Sequence, residues 1–272
     1  MRSLTGRMAL LALALGLLPG AAVAQEAGPR LGWVELLTND SRAAAQFYAE
    51  LFGWAIEGHS DGKYRLRLDG ELVGGITQIQ NRDGEDHTTW LLGVTVPDVR
   101  DAVVATRASG GTVIRDQTRT SDGGEWAVVA DGQGAEVLVY SGDLRIEGEP
   151  APGRWAWAEL WTTDPDSAAD FYGSVIGWDL EEVEHPDGTY RSFTYEGDLR
   201  AGLVPITGER VDPGWAPYIG VTDVKATVQR AEELGAEVLL APGADVYGGR
   251  VAILRDPTGV GFLVIELEEE ME

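Results

Sequence analysis

The sequence predicts an α+β protein built as a tandem duplication, and two observations carry that prediction. The segment Trp33–Trp54, WVELLTNDSRAAAQFYAELFGW, returns at Trp157–Trp178 as WAELWTTDPDSAADFYGSVIGW, with eleven of 22 positions identical. The offset of 124 residues is far longer than a solenoid repeat, so the unit that was copied is a whole domain. Within each half, strand and helix patterns alternate as βαβββ followed by βαβββ. Strands dominate and connections are short, which favours curled antiparallel or mixed sheets over a doubly wound one.

The elements follow in order. Residues 1–24 read as a signal peptide, with Arg2 and Arg7 in a basic start, an apolar run from Met8 to Leu18, and Ala22-Val23-Ala24 before Gln25. The run is too short to span a bilayer comfortably. The expectation is therefore a periplasmic or secreted protein, free of the membrane once cleaved near Ala24. Domain 1 is expected over 25–140, a polar linker over 141–153, domain 2 over 154–267 and an acidic tail over 268–272. Trp33–Thr38 reads as a strand with Trp33, Glu35 and Leu37 on one face and Val34, Leu36 and Thr38 on the other. Asp40 caps the helix Ser41–Leu51, and Asp164 followed by Pro165 repeats the signal. Gly53 stops that helix. Asp69-Gly70 marks a hairpin between Tyr64–Leu68 and Glu71–Ile79.

The second module begins with a strand at Leu91–Val96 and a helix at Val99–Ser109. Strands at Thr112–Ile114, Trp126–Ala130 and Ala135–Tyr140 complete it. The copy gives strands at Tyr190–Tyr195, Leu199–Ile206 and Tyr218–Thr222, a helix at Val224–Leu234, and strands at Val251–Leu254 and Val260–Leu267.

Composition narrows function. The chain has 272 residues, no cysteine and a formal net charge of −24, which becomes −26 without Arg2 and Arg7. Disulfides and thiol chemistry are absent. So strong an acidic balance argues against nucleic acid and anionic membrane surfaces, which need clustered Lys and Arg.

Paired βαβββ units, a first helix ending in Phe-Tyr and then Gly-Trp, and the turn Asp256-Pro257-Thr258-Gly259 together resemble the vicinal oxygen chelate superfamily. That superfamily includes glyoxalase I, extradiol dioxygenases and bleomycin-resistance proteins. The resemblance implies two glyoxalase-like domains, each with curved sheets around a cleft. It also implies metal ligands on the first and last strands of the modules. Those positions hold Trp33 and Leu138 in the first half, and Trp157 and Leu263 in the second. Leu91 and Ala216 fall near the third position. Apolar side chains cannot ligate a divalent cation, so no metal and no other cofactor is expected. Leu37 and Trp161 replace the arginine that holds a glutathione carboxylate in glyoxalase I.

Two candidate catalytic residues remain, Glu35 and Glu159, on the strand face of the vacant ligand positions. Glu136 joins them two residues before Leu138. They read as a displaced oxygen-ligand site for a hard cation, as a general base raised in pKa by tryptophan, or as structural acceptors for backbone or indole N–H groups. The expected ligand-binding set is Trp33, Glu35, Trp126, Glu136, Trp157, Glu159 and Trp161. Trp161, Trp126, Trp90 and Trp215 pair with Leu37, Val251, Pro217 and roughly Thr88 or Thr89, an asymmetry that a single functional cleft would leave. Aromatic walls suit flat apolar or cationic molecules. The expected function is an exported, metal-free binding protein for a small apolar or aromatic molecule. A metal-dependent lyase, isomerase or dioxygenase, and a structural protein with filled clefts, are the alternatives. Fusion of the halves predicts pairing within one chain and a monomer.

Overall fold

The computed structural model describes residues 28–80, 87–120, 123–142, 146, 150–185, 188–207, 212–243 and 247–267. The expected signal peptide and acidic tail lie outside these residues, and the expected linker is described only in part. The first half runs β1 (Leu31–Thr38), α1 (Ser41–Phe52), β2 (Ala55–His59), β3 (Lys63–Leu68) and β4 (Glu71–Gln78). It continues with β5 (Thr89–Thr95), α2 (Val99–Ala108), β6 (Thr112–Arg119), β7 (Glu125–Ala130) and β8 (Glu136–Ser141). The second half repeats this as β9 (Trp155–Thr162), α3 (Pro165–Val175), β10 (Asp179–His185), β11 (Gly188–Tyr195) and β12 (Asp198–Pro205). Its second module is β13 (Gly214–Val221), α4 (Val224–Glu233), β14 (Glu237–Leu240), β15 (Val251–Arg255) and β16 (Gly261–Glu266).

Each half is one eight-stranded sheet, ordered β2-β3-β4-β1-β5-β8-β7-β6 and β10-β11-β12-β9-β13-β16-β15-β14. The two modules of a half meet through their first strands, β1 with β5 and β9 with β13, both antiparallel. Local chemistry sets the elements. Asp40 accepts from the Ala43 N–H at 3.0 Å, and Asp164 from the Ser167 N–H at 3.1 Å. Gly53 ends α1 with φ of +73°. The hairpin turns Asp69-Gly70 and Glu196-Gly197 both hold two consecutive residues at positive φ.

The strands differ from the sequence pattern at several places, among them the edge strands β2 and β10, which the pattern does not delimit. β6 runs on to Arg119 because its added residues are exposed and polar on an edge strand, with no apolar alternation to betray them. β14, also an edge strand, is too short to register as a pattern. β13 starts at Gly214 rather than Tyr218, since Pro217 interrupts the strand signal. The pairing also corrects the tryptophan alignment. Trp90 stands opposite Leu36 and Trp215 opposite Leu160, so the two tryptophans are equivalent. The connection after β4 spans residues 79–88, whereas that after β12 spans only 206–213, which shifts the offset between halves.

One apolar core takes the same face of both sheets together with all four helices. Phe262 of β16 packs on Phe47 and Tyr48 of α1 with ring centroids at 5.9 and 5.5 Å. Trp155 meets Trp54 and Trp90 across the same seam. The Trp54 indole donates to the Gly153 carbonyl at 2.7 Å, and that of Trp178 to Pro29 at 3.0 Å. Asp256 ties its own turn by accepting from the Thr258 and Val260 N–H groups, and also interacts with the Tyr48 hydroxyl of the other half. Asp131 does the same for its turn and meets Tyr172. The Phe-Tyr pair of each half and the Asp turn of the other are thus partners across the duplication.

Candidate functional site

The opposite face of each sheet is concave, and here the two halves part. In the first half it forms an open cleft of about 810 Å³. β1 contributes Trp33, Glu35 and Leu37, as strand alternation requires when Val34 and Leu36 enter the core. Leu91, Trp126 and Leu138 supply the opposing wall. β3 brings Lys63 and Arg65, and β6 brings Arg115.

Glu35 sits at the floor. Its carboxylate accepts from the Trp33 indole at 2.8 Å and the Thr77 hydroxyl at 2.7 Å. Burial pushes its pKa up, opposed by those two hydrogen bonds and by the positive charge of Arg65 and Lys63. Gly75 leaves room for it, since a Cβ there would stand 2.3 Å from the Glu35 Oε2.

The second half has the same plan with the space filled. Glu159 is fully buried and accepts from Tyr218 at 2.6 Å, Tyr190 at 2.9 Å and the Trp161 indole at 3.1 Å. Burial raises its pKa against those three donors. Trp157 and Trp161 pack against a small apolar cluster around Tyr218 and Leu263. Strand register gives the cause. Tyr218 stands opposite Trp157 where Gly93 stands opposite Trp33. Tyr190 likewise occupies the place of Lys63, and Trp161 that of Leu37.

Of the residues expected to bind ligand, the structure therefore brings Trp33, Glu35 and Trp126 to the open cleft. Trp157, Glu159 and Trp161 belong to the filled half instead. Glu136 shares the strand face of Leu138 but does not border the cleft, and burial raises its pKa with exposed His87 opposing. Lys63, Arg65, Arg115 and Tyr140 line the cleft without having been expected. The alternation in Lys63-Tyr64-Arg65-Leu66 is the one signal that could have shown two of them.

The residues in place do not fit a metal ion. Three of the inherited ligand positions are Trp33, Leu91 and Leu138, and the carboxylate of Glu35 is already engaged by two donors. Among the described residues no three of His, Cys, Asp and Glu converge as ligands.

The buried carboxyls have a measurable consequence. Glu35, Glu159, Asp131 and Asp256 all have folded pKa values raised by burial. The folded chain then holds protons that the unfolded chain releases, so stability falls as pH rises through the folded values. Urea midpoints should be higher near pH 5 than near pH 8. Glu159→Gln should flatten that slope, and a midpoint that rises with pH would refute the assignment.

Comparison with known proteins defines the class. Residues 33–140 match the family model of a glyoxalase-like domain, and residues 154–264 that of the glyoxalase/bleomycin resistance protein/dioxygenase superfamily. The chain belongs to that superfamily. It is 31% identical over 245 residues to the putative glyoxylase CFP32 of Mycobacterium tuberculosis, covering 86% of this chain and 93% of the relative. It is 32% identical over 260 residues to the anthracycline biosynthesis protein DnrV of Streptomyces peucetius, covering 87% and 93%. Among solved structures, the Mn(II)-bound glyoxalase from Novosphingobium aromaticivorans aligns with a TM-score of 0.61 at 17% identity, over 88% of this chain and 83% of that one. The 2,2',3-trihydroxybiphenyl 1,2-dioxygenase of Sphingomonas wittichii strain RW1 aligns at 0.59 and 14%, over 88% and 90%. At such identities these structures bear on the fold alone.

Proposed function

We propose that this is an exported, metal-free binding protein that holds a small, flat, largely apolar molecule in the cleft of its first half. The observation that carries the reading is the pairing of one open cleft with one filled cleft on the same scaffold. The open one keeps tryptophan and leucine where the superfamily keeps its metal ligands. A cleft of about 810 Å³ suits a ligand of a few fused rings. The relative named for anthracycline biosynthesis supports an aromatic ligand. Export rests on the leader ending at Ala24, and the monomer on the core shared between halves.

A second reading, an enzyme, is favoured by Glu35, a carboxyl of raised pKa bordering an apolar cleft. One preparation separates the two. The protein is purified from its exported fraction without chelators or a metal-binding tag, sequenced from its N-terminus and analysed for metals. Binding predicts a chain starting at Gln25, well under one equivalent of any divalent metal, and a fused-ring aromatic that quenches tryptophan emission. About one equivalent of metal would overturn this reading in favour of the enzyme.

A further inference from the structure

The geometry points to an anionic ligand: a flat aromatic molecule carrying a carboxylate or a similar acidic group, clamped at the cleft mouth by Arg65 and Arg115. This deepens the binding reading proposed above and rests on it.

Three observations carry it. The first is placement. β3 and β6 lie near opposite ends of the strand order, yet Arg65 and Arg115 border one cleft because the sheet curls. The second is how each cation is held. The Arg65 guanidinium lies 4.8 Å from the centre of the Trp33 ring, and that of Arg115 5.8 Å from the centre of the Trp126 ring. One face of each indole is thus already covered by a cation of the chain. The aromatic wall becomes a positively charged platform whose planar guanidinium suits a carboxylate.

The third is the balance of charge around them. The acids bordering the cleft are Glu35, Asp61 and Glu125. Glu125 is engaged by Arg119 at 2.9 Å and Gln117 at 2.6 Å, and Glu35 by Trp33 and Thr77. Only Asp61, at the rim, has no hydrogen bond or ion pair among the described residues. Neither Arg65 nor Arg115 forms an ion pair with a described residue, although the charge of Arg65 acts on Glu35 at the cleft floor. A chain with a formal charge of −24 that leaves two guanidinium groups facing one apolar cleft presents a local site for an anion.

Calorimetric titration with 2-naphthoate and 2-naphthamide, equal in shape and different in charge, tests the inference. The naphthoate should bind roughly tenfold tighter at low ionic strength, the scale of one charge-assisted contact. Added salt should shrink the difference. The double variant Arg65→Gln, Arg115→Gln should erase it, with the naphthoate falling to the affinity of the naphthamide. Equal affinities, or a preference that survives in the double variant, would overturn the anionic ligand and leave the binding reading standing. Failure of both probes would overturn the two together. A thermal melt of the double variant confirms that the change is local.

Discussion

Phe262→Ala is expected to destabilise the whole protein by about 3–5 kcal/mol, the usual cost of removing a buried aromatic ring without refilling its space. Phe262 is fully buried. It belongs to the second half, but its ring is wedged among Phe47, Tyr48 and Phe52 of the first. The loss should therefore appear in one cooperative transition rather than in one half alone. Urea unfolding followed by tryptophan emission and by far-ultraviolet circular dichroism gives the check. Two separate transitions, with only one of them moved, would show that each half folds on its own core.

The second large effect concerns binding. Gly93→Tyr should abolish ligand binding, because it places in the open half the side chain that closes the other. A Cβ at Gly93 would lie 2.7 Å from the Trp33 Cβ, 3.2 Å from the Tyr140 Cε1 and 3.3 Å from the Leu138 Cδ2. All three neighbours border the cleft, so the phenol would occupy the ligand's volume. The second half shows that the backbone accepts such a pair, since Tyr218 and Trp157 stand opposite each other there. Overpacking of this kind costs about 1–3 kcal/mol, which a chain of 272 residues should survive. Leu37→Trp, which copies Trp161, offers a second route to the same end. Either variant that stays folded and still binds a fused-ring aromatic at the parent affinity would place the ligand elsewhere.

Much of the fold was legible because it was written twice. Asp40 and Asp164, Gly53 and Gly177, and Phe47-Tyr48 and Phe171-Tyr172 recur at fixed spacing, so capping and helix faces could be read from local chemistry. Registers were harder. Trp90 and Trp215 are equivalent in the sheet, but loops of different length hide this in the sequence. β6 was underestimated because an exposed edge strand needs no apolar alternation.

The site was legible on β1 and at single positions of the later strands. Trp33 and Glu35 announce their face through period-two alternation, and Trp126 through its mismatch with Val251. Arg65 and Arg115 come from strands far apart in the chain, and only the curl of the sheet sets them on one cleft. Nor does the sequence show that Glu159 is sealed. That depends on Tyr190 and Tyr218 reaching the same carboxylate from two different strands. Glu35 and Glu159 hold the same place in the duplicated segment, and their neighbours across the sheet, with Trp161 in place of Leu37, divide them into a floor residue and a buried acceptor.

The face of each sheet that joins the halves is the reverse of the face that forms its hollow. The side chains that line the open cleft and those that join the halves are thus separate sets. A lineage carrying this scaffold can open one hollow, close the other, or retune a rim while the seam stays untouched. Selection for a new ligand then meets little resistance from selection for folding, and the spare half offers a second place to begin.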